Sequence, residues 1–277
     1  MSTIFATNVW NKDKPITKGD LIGEKFDCEI FINEIKLSDN MVVNKENKIT
    51  YIFKNNYNNL NYMFSGCSSL TTIDLSKFNT ENVTNMYRMF FDCKSLISIN
   101  FSNCCTKNVT NMGSMFHGCK SLTTIDLSDL NTDNVTNMGS MFDDCFSLTS
   151  INISNFNTSN VIDMSCMFNK CYTLTSINLS HFVTNNVTDM SYMFSKCFSL
   201  TSINLSNFNT NNVNNMTHMF NGCKCLSSLD ISNFNSGKMR NAGLKEMFEG
   251  CKALKINDIK QKDFRFRQQA FIDLMKN

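Results

Sequence analysis

Seven cysteines stand 26 residues apart: Cys67, Cys93, Cys119, Cys145, Cys171, Cys197 and Cys223. An eighth, Cys251, follows 28 residues later, after an insertion in the stretch SGKMRNAGLKEMF. A Met-Phe pair precedes each of them, from Met63-Phe64 to Met247-Phe248. A period of this kind outranks other fold signals. One such unit cannot bury its own apolar face, so it must stack on copies of itself.

One unit runs from Leu122 to Ser147. Leu122, Ile125 and Leu127 are separated by polar residues, and Ile125 and Leu127 alternate around Asp126 as in a strand with one buried face. Leu130 follows, where other copies place Phe78, Phe156 or Phe208. Next, N-T-D-N supplies turn formers and helix N-cap side chains. Val135, Met138, Met141, Phe142 and Cys145 then fall at helical spacing on one face. Each unit is therefore expected to be a short strand, a turn and two or three turns of helix. Stacking at about 4.8 Å gives a parallel sheet with helices outside it. The expected fold is an α/β solenoid, a leucine-rich-repeat-like right-handed coil with the sheet on one face and short helices on the other.

L-x-x-I-x-L is the strand segment of a leucine-rich repeat, and the fuller unit MFxxCxSLTSINLSNFNTxNVTNM closely resembles the BspA-like repeats of mycoplasma and other bacterial surface proteins and of some protists. The resemblance spans about residues 57 to 254. Phe at the ninth position and Asn at the tenth depart from the commoner leucine-rich pattern. The resemblance implies a curved solenoid used in adhesion or protein recognition, and a place at the cell surface. The amino terminus shows neither a secretory signal nor a lipid-attachment cysteine, and no run approaches the roughly 18 apolar residues of a membrane span, so a cytoplasmic place is the other expectation.

The cysteine column reads as buried free thiols packing as small hydrophobes. Disulfides between adjacent units fit the spacing but lack a unique register. A metal site is not expected, because no Cys-x-x-Cys or histidine column accompanies the thiols. Outside the column stand Cys28, Cys104, Cys105, Cys166 and Cys225, of which Cys104, Cys105 and Cys166 are expected to be exposed. The methionine columns read as core. Asn82, Asn108, Asn134, Asn160, Asn186 and Asn212 form a column expected to satisfy backbone groups at a buried turn.

Charge gives little: 18% of residues are charged and the net is +2, which offers nothing for nucleic acid. His117, His181 and His218 occupy three phases of the repeat, so stacking keeps them apart. No phosphate loop, nucleophile elbow or acid/base pair is present. The expectation is a non-enzymatic module without cofactor, metal or catalytic residues, recognising a protein partner as an adhesin. The alternatives are an intracellular interaction scaffold and a binder of a regular array, a glycan or a lattice. The candidate surface is the polar strand face, with Thr72, Asp74, Ser98, Asn100, Thr124, Asp126, Ser150 and Asn152. A second candidate is an aromatic stripe of Phe146, Tyr172 and Phe198. Variable positions such as Phe91, His117, Asp143 and Asn169 mark where the copies disagree.

Three parts are expected: a β-containing cap over residues 1–56, about eight repeat units over 57–254 and a helical cap over 255–277. In the first, 26–37 and 48–54 read as strands. In the last, an amphipathic helix over 258–276 offers Phe264, Phe271, Ile272 and Met275 to cover the final unit.

Overall fold

A computed structural model describes residues 2–9, 16–38, 41, 46–239 and 241–276. Alternating apolar residues in S-T-I-F-A-T-N-V form β1, Ser2–Val9, with Ile4 and Ala6 buried. β2 (Cys28–Ile32), β3 (Ile35–Lys36) and β4 (Glu46–Phe53) follow. β5 (Leu70–Asp74) and β6 (Ser98–Asn100) belong to the first two repeat units, or rungs. These six strands make one sheet in the order β3-β2-β4-β1-β5-β6. β1 is the seam. It pairs antiparallel with β4 on one side and with β5 on the other, setting Phe5 beside Asp74 and Thr7 beside Thr72. The amino-terminal segment thus extends the repeat sheet rather than merely abutting it.

The remaining rungs pair in parallel. β7 (Thr124–Asp126) joins β8 (Ser150–Asn152). β9 (Ser202–Asn204), β10 (Ser228–Asp230) and β11 (Ile259–Lys260) form a third sheet. Ile73 lies beside Ile99, Ile125 beside Ile151, and Ile203 beside Leu229. The expected single parallel sheet is therefore divided among three, and the copy at 175–178 holds no described strand.

The continuous ladder lies on the opposite side, where helices were expected. There the described residues of each unit form a string of tight turns, and no helix occurs between 57 and 239. Parallel bridges join Asn59, Asn85, Asn111, Asn137, Asp163, Asp189 and Asn215 in succession. From Met86 to Asp92 alternate N–H groups donate to the next rung: Met86 to Asn111, Arg88 to Gly113, Phe90 to Met115 and Asp92 to His117, at 2.7–3.0 Å. The N–H groups of Met89, Phe91 and Cys93 instead close local turns onto Met86, Arg88 and Phe90. Left-handed residues enforce the turns, with φ from 53° to 61° at Tyr62, Arg88, Ser114, Ser140, Cys166, Tyr192, His218 and Glu246.

The physical reason is spacing. Packed helices need about 8–10 Å between axes. Here the Phe64, Phe90, Phe116, Phe142, Phe168, Phe194, Phe220 and Phe248 rings stack 5.5–6.0 Å apart. A helix spends its N–H groups internally, whereas these turns spend half of theirs on the neighbour. The apolar positions keep the burial that helical spacing implied: Val135, Met138, Met141, Phe142 and Cys145 are all inaccessible.

The N-T-x-N turn also differs from a helix cap. Thr132 is buried; its hydroxyl donates to Asn157 O at 3.0 Å and accepts from Asn157 N at 2.8 Å. Thr158, Thr184 and Thr210 repeat the clip. The asparagine column does satisfy backbone, as Asn134 Nδ2 to Lys107 O (2.7 Å) and Asn160 Nδ2 to Asp133 O (2.7 Å) show, but these side chains are exposed rather than buried.

α1, Phe264–Leu274, closes the far end. Its inward residues are Phe266, Ala270 and Asp273, with Phe266 edge-on to Phe234 at 5.8 Å. Phe264, Phe271, Ile272 and Met275 point away from the last rung, which reverses the expected face. The inward face is chosen by polar demand. Phe248 N–H has no following rung to donate to, and the Asp273 carboxylate accepts it at 3.0 Å. Ser236 occupies the position of the threonine clip, and Asp263 accepts both its N–H (2.8 Å) and its hydroxyl (2.7 Å) while capping α1 at Arg265 N.

Candidate interaction surfaces

The strand-face residues lie in register: Thr72 beside Ser98, Asp74 beside Asn100, Thr124 beside Ser150 and Asp126 beside Asn152. Ser98, Asn100, Thr124, Asp126, Ser150 and Asn152 are exposed, while β1 half-buries Thr72 and Asp74. Asn100 Nδ2 donates to Asp74 Oδ1 at 2.9 Å. Hydrogen bonds from the Ser128 N–H and hydroxyl hold the Asp126 carboxyl below its usual range. These carboxylates serve the local backbone, and the face is uniform over β7 and β8.

Uniformity ends where β1 and β4 stand beside the first rungs. A groove of about 1020 Å³ opens there, lined by Phe5, Thr72, Asp74, Ser98 and Asn100, with Glu34, Glu46 and Lys48 at its other side. Phe5 is 40% exposed and lies under Lys77 Nζ at 5.3 Å. Four of the strand-face candidates thus share one concavity with residues found in no repeat. β1 gave no repeat signal, and its alternation was the only trace of it in the sequence.

The aromatic stripe is a closed stack. Phe146 and Tyr172 lie 4.6 Å apart, as do Tyr172 and Phe198, with planes within 9°. Lys120 Nζ caps Phe146 at 4.8 Å and Lys224 Nζ caps Phe198 at 4.2 Å. Both faces of each ring thus meet another ring or a lysine ammonium.

On the turn side, the positions where copies disagree form a contact series. His117 stacks on Phe91 at 4.6 Å, its Nδ1 lies 3.4 Å from Asp143 Oδ2, and Asn169 Nδ2 donates to Asp143 Oδ1 at 2.8 Å. His218 stacks on Tyr192 at 4.5 Å and lies 3.4 Å from Glu246. His181 Nε2 meets Ile153 O at 2.9 Å. The three histidines stay apart, as their phases required.

All thirteen cysteines are free thiols, and the eight column members are buried. Each from Cys93 onward donates to a phenylalanine carbonyl of the preceding rung, Cys145 Sγ to Phe116 O at 3.1 Å and Cys223 Sγ to Phe194 O at 3.0 Å. Burial pushes the Cys67, Cys197 and Cys251 thiols up to about 12, which removes nucleophilic character. Outside the column, Cys104 proves buried, because it fills the place of Phe78 and Phe156 in the core; Cys105 and Cys166 are half-buried and Cys225 is exposed. Among the described residues no group of three or more His, Cys, Asp or Glu could hold a metal ion.

A family described as "Mycoplasma protein of unknown function, DUF285" matches residues 44–124, 95–201 and 172–271. The chain belongs to this family. The three tandem matches cover the repeats and reach into β4 and α1, in accord with the mycoplasma-type repeat expected from the Met-Phe-x-x-Cys period. No curated protein matches the chain. Among solved structures, a leucine-rich repeat protein from Bacteroides ovatus is similar at 18% identity, over 87% of this chain and 77% of that one, with a TM-score of 0.31.

Proposed function

We propose that this protein is a non-enzymatic recognition module: a solenoid of repeats over 57–254, capped by 1–56 and 255–277, that binds a protein partner as an adhesin. The observation carrying this reading is the groove at β1, where Phe5, Glu34, Glu46 and Lys48 break the uniform face of Asp74, Ser98 and Asn100. Specific protein recognition needs different groups at neighbouring positions and an aromatic anchor near the centre. The uniform rungs supply neither, and the groove supplies both. The closed stack of Phe146, Tyr172 and Phe198 supports packing over glycan binding.

The test is recovery of bound protein from intact target cells by the purified chain. The pair Phe5→Ser/Asn100→Lys should lose the partner, whereas replacing Phe146, Tyr172 and Phe198 with Ser should keep it. The opposite result moves recognition to the stripe. Fractionation separates the adhesin from an intracellular scaffold with the same groove: protein found only in the cytosol sinks the adhesin.

A further inference from the structure

α1 presents to solvent the apolar stripe that a capping helix should hide. Phe264, Phe271, Ile272 and Met275 recur at i, i+7, i+8 and i+11, one face of a helix, and are 73%, 55%, 45% and 71% exposed. Arg267 borders the stripe, Gln268 lies within it, and Lys262 and Lys276 stand at its ends. The two acids between Lys262 and Lys276 are turned inward and engaged: Asp263 with Ser236 and Arg265 N, Asp273 with Phe248 N and Gln269. From Lys252 to Lys276 the exposed charged side chains are therefore cationic except Asp258, although Lys260 lies 3.7 Å from Asp230 and Lys276 3.9 Å from Glu249. From Lys252 to Lys276 the chain carries seven Lys and Arg against three Asp, a net of +4.

The charge decides what covers this face. Two copies docking stripe to stripe would set their cations against each other, which costs affinity. A flat anionic surface satisfies the apolar stripe and its cationic flanks together, the pattern of a helix lying in the membrane interface. No described helix is long and apolar enough to cross a membrane, so docking is parallel to the surface. We propose that α1 is such an interfacial helix: it lays Phe264, Phe271, Ile272 and Met275 into an anionic lipid surface while Phe266, Ala270 and Asp273 hold the last rung. One short helix gives reversible attachment, and the repeats stand off the surface behind it.

The test is co-sedimentation of the full chain with phosphatidylcholine vesicles, with and without phosphatidylglycerol. The protein should sediment with the anionic vesicles and stay in solution with the neutral ones. Phe271→Ser/Met275→Ser, and separately Arg267→Glu, should each lower partitioning by about tenfold or more, with melting unchanged because these side chains touch little of the core. Phe5→Ser should sediment like the parent, since this attachment is independent of the recognition groove. Three outcomes overturn the proposal: no sedimentation of the parent chain with anionic vesicles, undiminished binding by the Phe271/Met275 variant, or concentration-dependent self-association lost in that variant without vesicle binding.

Discussion

Cys145 shows what one position in the repeat must satisfy. Its thiol is wholly buried between the cysteines of adjacent rungs and donates to Phe116 O at 3.1 Å. Alanine lacks the donor and leaves a void, and serine keeps a donor but brings a strongly hydrated hydroxyl into an apolar column. Cys145→Ser should destabilise by about 1–3 kcal/mol, seen as a lower melting temperature; an unchanged melt would mean the column is accessible in solution. The same burial predicts a pH dependence. An unfolded thiol ionises near 9.0, while Cys67, Cys197 and Cys251 hold their protons to about 12 when folded. Above the unfolded value the denatured chain binds fewer protons than the native one, so stability falls as pH rises. Full stability should persist below about pH 9 and decline through pH 12, in urea titrations run across that range. Sequence period alone disclosed the burial of this column. Its hydrogen bond to the rung below was hidden, because it joins residues 29 apart through a main-chain atom.

At the scale of elements, the spacing of Val135, Met138, Met141, Phe142 and Cys145 predicts a helix and is realised as turns. The apolar columns are the same in both, which is why burial was legible and backbone conformation was not. Periodicity reports which side chains face inward; it does not report whether N–H groups close on their own chain or cross to the next. The turn demands a left-handed backbone at this position: Gly118 holds φ 74°, and Asp92, Asp144, Lys170 and Lys196 hold 56° to 60° in other rungs. The helix α1 was legible as a helix, but the choice of its inner face was not, because that choice rests on Asp263 and Asp273 answering donors stranded at the end of the stack. Asp273→Ala leaves Phe248 N–H buried and unpaired and should cost about 1–3 kcal/mol. Hydrogen exchange should localise the loss to the final rung and α1; uniform loss of protection would contradict a local capping role.

For the whole molecule, stacking makes stability a sum over rungs and their contacts. Excising residues 94–119 removes one full period and should leave a cooperatively folding protein with a lower melting temperature. Excising 107–119 sets strand columns against turn columns and should abolish the cooperative melt. Retention of cooperative melting after that half-unit deletion would refute stacking by register. The sequence by itself determined the period, the repeating apolar columns and the polar strand face, because identical units make identical local demands that a linear pattern records. The tertiary structure alone decided the rest: the turn ladder in place of helices, β1 as the seam that creates the groove, and the outward turn of the α1 stripe. Each depends on which backbone donors and acceptors remain unpaired once the rungs are stacked, and those partners lie a full unit or more away along the chain.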